Sequence, residues 1–342
     1  MLNRVTTPKA PLDTMHLTQH FDLSAFNTMG LVSHAQFGAV IAERRQVDEV
    51  ARFATSSGLP AHFIGGGSNL VLRDELAAIV GVMAIKGRNI ERGPDGTVIV
   101  TAQAGEDWSE FVGWTVSQGI GGLENLAGIP GTVGAAPIQN IGAYGLELAD
   151  RFQSLTAWDS VDHKERVFER DECQFSYRQS LFKQAGGRFI VLDVTLALPQ
   201  EWVPVLSYAG LDNLPADVDA AAVMERVLAI RRSKLPDWHV LGNAGSFFHN
   251  PVVQPAVADG IAGVPRYPQP DGRVKLSAAW LIDACGLKGY QEGQAAVHKD
   301  HALIIVNRGG ATYGDVHKLA STIKHAVEER FGVVLTQEPI EL

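Results

Sequence analysis

Cysteine is scarce in this sequence: its 342 residues contain only Cys173 and Cys285. Two cysteines so far apart make no C-x-x-C, zinc or disulfide framework, so both are expected to be buried thiols in a reducing compartment. Long apolar runs are missing as well. The longest, Leu76 to Ile85, is ten residues, far short of a bilayer-spanning helix. No cationic start with an apolar core stands ahead of it, so no secretion signal or membrane anchor is expected, and the expected location is cytoplasmic. Basic charge is in deficit: 29 Lys and Arg face 38 Asp and Glu, for a formal net charge of −9. With no basic run, nucleic-acid binding is not expected. The first 20 residues carry no readable pattern, and Met15 is a candidate native start. His298 and His301 stand three apart without an acidic or cysteine set around them, and no metal is expected.

What is abundant is apolar surface, with 46% hydrophobic residues, and glycine, with 35. Length and apolar content suit two or three domains with a sizeable core. The glycines gather at 65–67, 119–122, 128–145 and 242–245. They do not repeat periodically, which excludes collagen-like and linker sequences. One such cluster alone reads as ordinary turns. Several together suggest backbone in close approach to a ligand, because glycine has no Cβ and reaches positive φ cheaply.

Short or alternating apolar runs predict strands over 35–40, 61–64, 97–104, 155–158, 165–168, 189–196, 302–307 and 333–335. Helical periodicity predicts helices over 47–57, 108–118, 220–232, 277–284 and 315–330. A polar stretch with prolines at 211–218 marks a candidate boundary. Helices and strands are mixed in blocks, so the expected fold class is α+β.

Five motifs bear on chemistry. A strand runs into Gly65-Gly66-Gly67-Ser68-Asn69, whose successive amides suit anionic oxygens. It is neither a Walker loop nor G-x-G-x-x-G, since Leu70 stands at the third glycine's place. A second tight surface is Gly128-Ile129-Pro130-Gly131-Thr132-Val133-Gly134, followed by Gln139 to Gly145. Two such surfaces suit a large phosphorylated cofactor, closing on its diphosphate from two sides. Arg178, within Ser176 to Ser180, has the guanidinium that pairs with carboxylates, although alone it reads as a surface ion pair. Ser246 lies among small residues in Gly242 to Pro251, outside a G-x-S-x-G pattern because Phe248 replaces the last glycine. Glu338 follows the last predicted strand and by composition alone is a solvated end.

Taken together, these segments resemble the UDP-N-acetylenolpyruvoylglucosamine reductase family. The matching stretches are Asn27–Gly30, Gly65–Asn69, Gly119–Gly145, Phe175–Arg178, Lys234–Pro236, Gly242–Pro251, Ala279–Gly289 and Ala295–His298, from about residue 21 to the C-terminus. The resemblance implies two vanillyl-alcohol-oxidase-like (PCMH-type) subdomains holding FAD, at 21–85 and 86–223, and a substrate-binding domain at 224–331. It also implies that 332–342 returns to the second subdomain and brings Glu338 beside the flavin. The Leu206-Ser207-Tyr208 segment resembles the tyrosine loop of the family's longer subclass.

The activity implied is NADPH-dependent, FAD-mediated reduction of the enolpyruvyl group of a UDP-sugar to UDP-N-acetylmuramate, in peptidoglycan synthesis. Hydride arriving at C3 leaves negative charge at C2, which Arg178 and Glu338 match the family's residues for stabilising; Glu338 is expected to be neutral or hydrogen-bonded to Arg178. Ser246 matches the family's general acid for C2. Cofactor contacts are expected from Gly65, Gly66, Gly67, Ser68 and Asn69, and from Gly128, Ile129, Pro130, Gly131, Thr132, Gly134, Asn140, Gly142 and Ala143. Substrate contacts are expected from Tyr208, Lys234, Asn250 and Gln291. His249 stands where many relatives carry lysine, which weakens any fixed charge there. Neither glycine surface contains His or Cys, so FAD is expected without a covalent link, and the protein is expected to be a monomer. The competing readings are a flavin-dependent alcohol oxidase on the same scaffold and a non-catalytic flavin-binding protein.

Overall fold

The computed structural model describes residues 16–93 and 96–342, and Met15 lies outside them. Its first sheet has the strand order Thr18–Asp22, His34–Ile41, Glu75–Met83, Ala61–Ile64. Glu75–Met83 runs parallel to both His34–Ile41 and Ala61–Ile64. It is one of the sheet's two interior strands, and both of its faces are buried from Ala78 on, which accounts for its near-continuous apolar sequence. The helix Arg45–Ser57 buries Val47, Val50, Ala51 and Ala54, the face expected from their spacing, and stops at Gly58 in the left-handed region. Thr18–Asp22 was not legible because this edge strand exposes nearly every residue, so no alternation marks it.

The second sheet is antiparallel, in the order Lys164–Glu169, Phe152–Asp159, Phe189–Leu198, Val98–Gln103, Arg88–Arg92. Helix Trp108–Ser117 lays Trp108, Phe111, Val112, Thr115 and Val116 into its core. The Asp107 side chain caps that helix by accepting from the Glu110 amide at 2.8 Å. Trp108 Nε1 donates to the Leu126 carbonyl at 3.0 Å and so anchors the glycine-rich loop from inside. Helix Ala220–Lys234 buries Val223, Val227 and Ile230 in the same apolar cluster. The expected boundary at 223/224 thus falls inside a helix whose apolar face belongs to the second sheet. Cys173 is fully buried here, and burial pushes its thiol up to about 12; Cys285 is only half-buried.

A third sheet has the order Asn243–Ser246, Ile304–Asn307, Ala295–Val297, Gln291–Glu292. Helix Tyr313–Phe331 covers it with Val316, Leu319, Ala320, Ile323 and Val327. Its core takes in Met29, Leu31 and Val71 from the first sheet's region. Polar bonds close the same seam: Thr28 Oγ1 donates to the Asn243 carbonyl at 2.7 Å, and Asn307 Nδ2 donates to the carbonyls of Met29 and Gly30, both at 3.0 Å.

One expectation about the C-terminus is corrected. Residues 333–335 form no strand: Val333 and Leu335 are buried and Val334 is exposed, so the alternation reports burial without a ladder. The last strand is Ile340–Glu341, and it pairs in parallel with Leu70–Val71. The returning chain therefore adds its strand to the first subdomain's segment, because the Asn69 carbonyl and the edge of 70–71 offer it a ladder.

Asn27 braces the 23–31 segment that carries this side of the seam. Its Nδ2 donates to the carbonyls of Leu23 (3.2 Å) and Leu31 (2.9 Å), and its Oδ1 accepts from the Leu31 amide at 2.9 Å. Asn27→Ala strands these buried groups and is expected to destabilise the protein by about 3 kcal/mol, read as a lowered urea midpoint.

Candidate active site

The strand Ala61–Ile64 delivers Gly65–Asn69 directly onto the second glycine surface. A Cβ on Gly66 would sit 3.2 Å from Gly131 Cα, one on Gly65 2.3 Å from Thr132 Oγ1, and one on Gly67 2.0 Å from the Phe26 carbonyl oxygen. Ser68 Oγ donates to the Pro130 carbonyl at 2.9 Å. At these points the two surfaces touch, so the expected pair of walls is one continuous backbone surface. The amides of Gly66, Gly67 and Ser68 find no acceptor among the described residues. Thr132 Oγ1 is buried without a hydrogen-bond partner. Gly66 is exposed, Ser68 half-buried and Gly67 buried; open amides beside a buried orphan hydroxyl suit a ligand rich in acceptors. Gly128 and Gly134 have a different reason to be glycine: a Cβ would meet Leu228 and Arg231 at the first and Ala104 at the second. Ile129 is half-buried against the second core.

A charged cluster adjoins this surface. Glu338 Oε1 accepts from Gln139 Nε2 at 2.8 Å and lies 3.7 Å from Arg178 Nε; its Oε2 lies 3.4 Å from His249 Nδ1. Burial pushes the Glu338 carboxyl up, but His249, Arg178 and the Gln139 amide together outweigh it and hold the carboxyl below its ordinary value. Glu338 is thus ionised at neutral pH. The expected hydrogen bond to Arg178 is not formed: Nε stands 3.7 Å away, an ion-pair distance. The lowered carboxyl speaks against the expected neutral state. Asn69 Nδ2 donates to Gln139 Oε1 at 2.9 Å and to the Glu338 carbonyl at 3.3 Å, so the Asn69 side chain orients the Gln139 amide.

Arg178 is aimed by a tight turn in which Ser176 and Gln179 exchange backbone bonds of 3.1 and 3.0 Å, with Arg178 itself at φ +56°. Its guanidinium donates to the carbonyls of Asn140 (3.3 Å) and Gly142 (2.6 Å). Gly142 must be small here, since a Cβ would lie 3.0 Å from Nη1. Asn140 is buried and its side chain is committed to Glu147, Ser176 and the Ala149 amide. Ala143 pairs with Leu146 in the adjoining short hairpin. Ser246 ends the strand Asn243–Ser246 after Gly245 at φ +70°. The next carbonyl, that of Phe247, accepts from the Glu338 amide at 2.9 Å, so the serine and the carboxylate sit on bonded neighbouring segments.

The expected substrate residues divide. Lys234 Nζ lies 5.9 Å from the centre of the Tyr208 ring, and that ring packs edge-on against Tyr144 at 4.9 Å. Lys234 lines an open pocket of about 340 Å³ with Gly210, Arg226 and Ser233. Asn250 Oδ1 accepts from the Ala278 amide at 3.0 Å and thereby holds the start of helix Ala278–Ala284. Gln291 is not brought to Ser246. It lies on the opposite edge of the third sheet, exposed, with Nε2 bonded to the Gly293 carbonyl at 2.7 Å.

His20, His34 and Glu75 form one grouping of metal-ligand type, which no sequence spacing announced. The two imidazoles stack at 4.1 Å with planes 11° apart. A metal lies in the plane of each ring that binds it, so stacked rings do not share one. Gln139 and His249 are the functional neighbours that sequence reasoning left unassigned. Their signals were a near-buried amide in a glycine loop and a histidine just beyond Ser246.

Comparison with known proteins decides the family. Residues 236–341 match the family model described as UDP-N-acetylenolpyruvoylglucosamine reductase, C-terminal domain, and residues 37–167 match an FAD binding domain. The chain is 48% identical over 330 residues to the UDP-N-acetylenolpyruvoylglucosamine reductase of Burkholderia multivorans, covering 93% of this chain and 95% of that protein. It is 47% identical over 332 residues to that of Paraburkholderia phytofirmans, covering 94% and 96%. The chain belongs to the UDP-N-acetylenolpyruvoylglucosamine reductase family. A crystal structure of the reductase from Thermus caldophilus superposes with a TM-score of 0.66 at 25% identity, covering 96% of this chain and 99% of that one.

As a member of this reductase family the chain is a flavin-dependent oxidoreductase of α+β fold, and its cofactor is FAD. The open amides at 66–68 and the orphaned Thr132 hydroxyl fit the diphosphate of that cofactor. No helix among the described residues is long and apolar enough to cross a membrane. Thr132→Val keeps the side-chain shape and removes the hydroxyl. It is expected to weaken FAD binding about ten-fold while the apoprotein keeps or raises its urea midpoint; unchanged FAD affinity by fluorescence titration contradicts this role.

Proposed function

We propose that this chain reduces UDP-N-acetyl-3-O-(1-carboxyvinyl)glucosamine to UDP-N-acetylmuramate with NADPH as reductant, a step of peptidoglycan synthesis carried out in the cytoplasm. Bound FAD supplies the hydride taken from NADPH. The observation that carries the reading is the cluster of Arg178, Glu338 and Gln139, which shares a bonded backbone neighbourhood with Ser246.

Negative charge that develops toward the substrate carboxylate when C3 receives hydride needs a preorganised cation. Arg178 is such a cation, fixed by the carbonyls of Asn140 and Gly142. Glu338 is ionised, so it does not stabilise an enolate by itself; it orients Arg178 and keeps the guanidinium from wandering. Ser246 delivers a proton to C2, and solvent restores the hydroxyl. Lys234 and Tyr208 take the diphosphate and sugar, local contacts that a chain of net charge −9 cannot replace by long-range attraction. Asn250 and the more remote Gln291 remain further candidates for nucleotide contact. The working division keeps a flavin module of 21–85 and 86–223 and a substrate domain to residue 331 in a monomer, with the boundary moved from 223/224 to the end of helix Ala220–Lys234, which packs in the flavin module's second core.

Stopped-flow traces separate the two half-reactions. Ser246→Ala is expected to keep bleaching of the flavin by NADPH at the wild-type rate. Recovery of the flavin colour by the enolpyruvyl UDP-sugar is expected to slow by about 10²-fold or more. Recovery at the wild-type rate overturns the assignment of Ser246.

A further inference from the structure

Three residues beyond Glu338 stands a second carboxylate, Glu341, which takes no part in the steps assigned to Arg178, Glu338 and Ser246. It belongs to the short strand Ile340–Glu341. The amides of Ile340 and Leu342 donate to the carbonyls of Asn69 (2.9 Å) and Val71 (3.1 Å), and the Arg73 amide donates to the Leu342 carbonyl at 2.8 Å. The Glu341 side chain reaches instead to the first turn of helix Tyr313–Phe331, where Tyr313 Oη donates to Oε2 at 2.6 Å. Its Oε1 accepts from Gln337 Nε2 at 3.2 Å and lies 3.4 Å from His317 Nδ1. Gln337 Nε2 also donates to the Pro339 carbonyl at 3.0 Å. Glu338 is thus enclosed in a turn whose two flanking side chains, Gln337 and Glu341, are bonded to each other.

We propose that Tyr313 is a positioning residue of the reductase site: through Glu341 and Gln337, its hydroxyl fixes the turn that sets Glu338 against Arg178. The proposal rests on the reductase reading above. The Arg178–Glu338 contact is an ion pair at 3.7 Å without a hydrogen bond, so its geometry depends on where the backbone places Glu338. A ladder of two residues is by itself a weak anchor for that backbone. A phenol hydroxyl donating to a carboxylate at 2.6 Å is a bond of the strong, charge-assisted kind. The donor is itself held rigidly. Arg73 Cζ lies 4.5 Å from the centre of the Tyr313 ring, and the His317 imidazole stacks on the same ring at 5.5 Å with planes 25° apart. The Tyr313 amide donates to Asp74 Oδ1 at 3.4 Å, and Thr312 Oγ1 caps the helix by accepting from the Asp315 amide at 3.2 Å. A helix of the third sheet's layer therefore reaches the reacting centre through one hydroxyl, one carboxylate and one amide.

The test uses the whole chain loaded with FAD. Tyr313→Phe removes one hydroxyl and keeps the ring between Arg73 and His317. Bleaching of the flavin by NADPH is expected at the wild-type rate. Recovery of colour at saturating enolpyruvyl UDP-sugar is expected to slow about ten-fold with the half-saturating sugar concentration unchanged, because a misplaced group costs rate rather than binding. Glu341→Ala is expected to slow recovery to a similar degree, and the double variant to be no slower than the slower single one, since both act through one contact. Recovery at the wild-type rate in Tyr313→Phe, or effects that multiply in the double variant, overturns the proposal. If Glu341→Ala does not load FAD, the Tyr313→Phe measurements decide alone. Carbon-13 NMR of the labelled Glu338 side chain needs no substrate: its carboxyl signal is expected to move in Tyr313→Phe, and an unmoved signal also overturns the proposal. Failure of the wild type to recover colour with the UDP-sugar removes the reductase reading instead, and the NMR signal then still decides whether Tyr313 governs the Glu338 carboxylate.

Discussion

The buried carboxylate of Glu338 is the constraint around which this molecule closes. Only 18% of its side chain is exposed, and an ionised group so placed is costly unless charges and donors surround it. Its partners come from three separate parts of the chain: Gln139 from the long glycine-rich loop, Arg178 from the turn after the second sheet's hairpin, and His249 from the segment just beyond the third sheet's first strand. A shift of any one of these regions removes one of the carboxylate's partners. The C-terminal segment is accordingly tied on both sides of Glu338. The Phe247 carbonyl receives the Glu338 amide, and Ile340–Glu341 pairs with Leu70–Val71.

The glycine surfaces serve the same closure. Gly65 to Gly67 come within contact of Thr132, Gly131 and Phe26, so closely that a Cβ would clash at Gly65 and Gly67 and be tightly crowded at Gly66. That packing places Asn69 where its amide reaches both Gln139 and the Glu338 carbonyl. The open-amide loop and the charged cluster are therefore joined through the Asn69 side chain, and the segment that carries the open amides also orients the carboxylate's nearest donor. Preorganisation of this kind supplies electrostatic stabilisation without rearrangement during the reaction.

How much of this the sequence disclosed follows from what each residue depends on. Helices at 47–57, 108–118 and 315–330 were readable because each buries one face against a sheet, so periodicity and capping agree. Thr18–Asp22 was silent because an exposed edge strand owes its pairing to backbone alone. Val333 to Leu335 misled because alternating burial does not require a ladder. The meeting of Arg178 with Glu338 came from the family resemblance, since a separation of 160 positions leaves no periodic trace. Gln139 and His249 escaped assignment for a related reason: an amide and an imidazole gain significance from the carboxylate they face, which only the tertiary fold supplies. Gln291 shows the converse, a motif residue that the sheet order sets on the far edge from Ser246.

The central claim is that Glu338 is an ionised, cation-held carboxylate. Its titration in the FAD-loaded protein, followed by carbon-13 NMR of the labelled side chain, tests that claim most directly. The account predicts a midpoint below the ordinary glutamate value of 4.5, rising when Arg178 is replaced by Met. A carboxyl still protonated at pH 6 would contradict it.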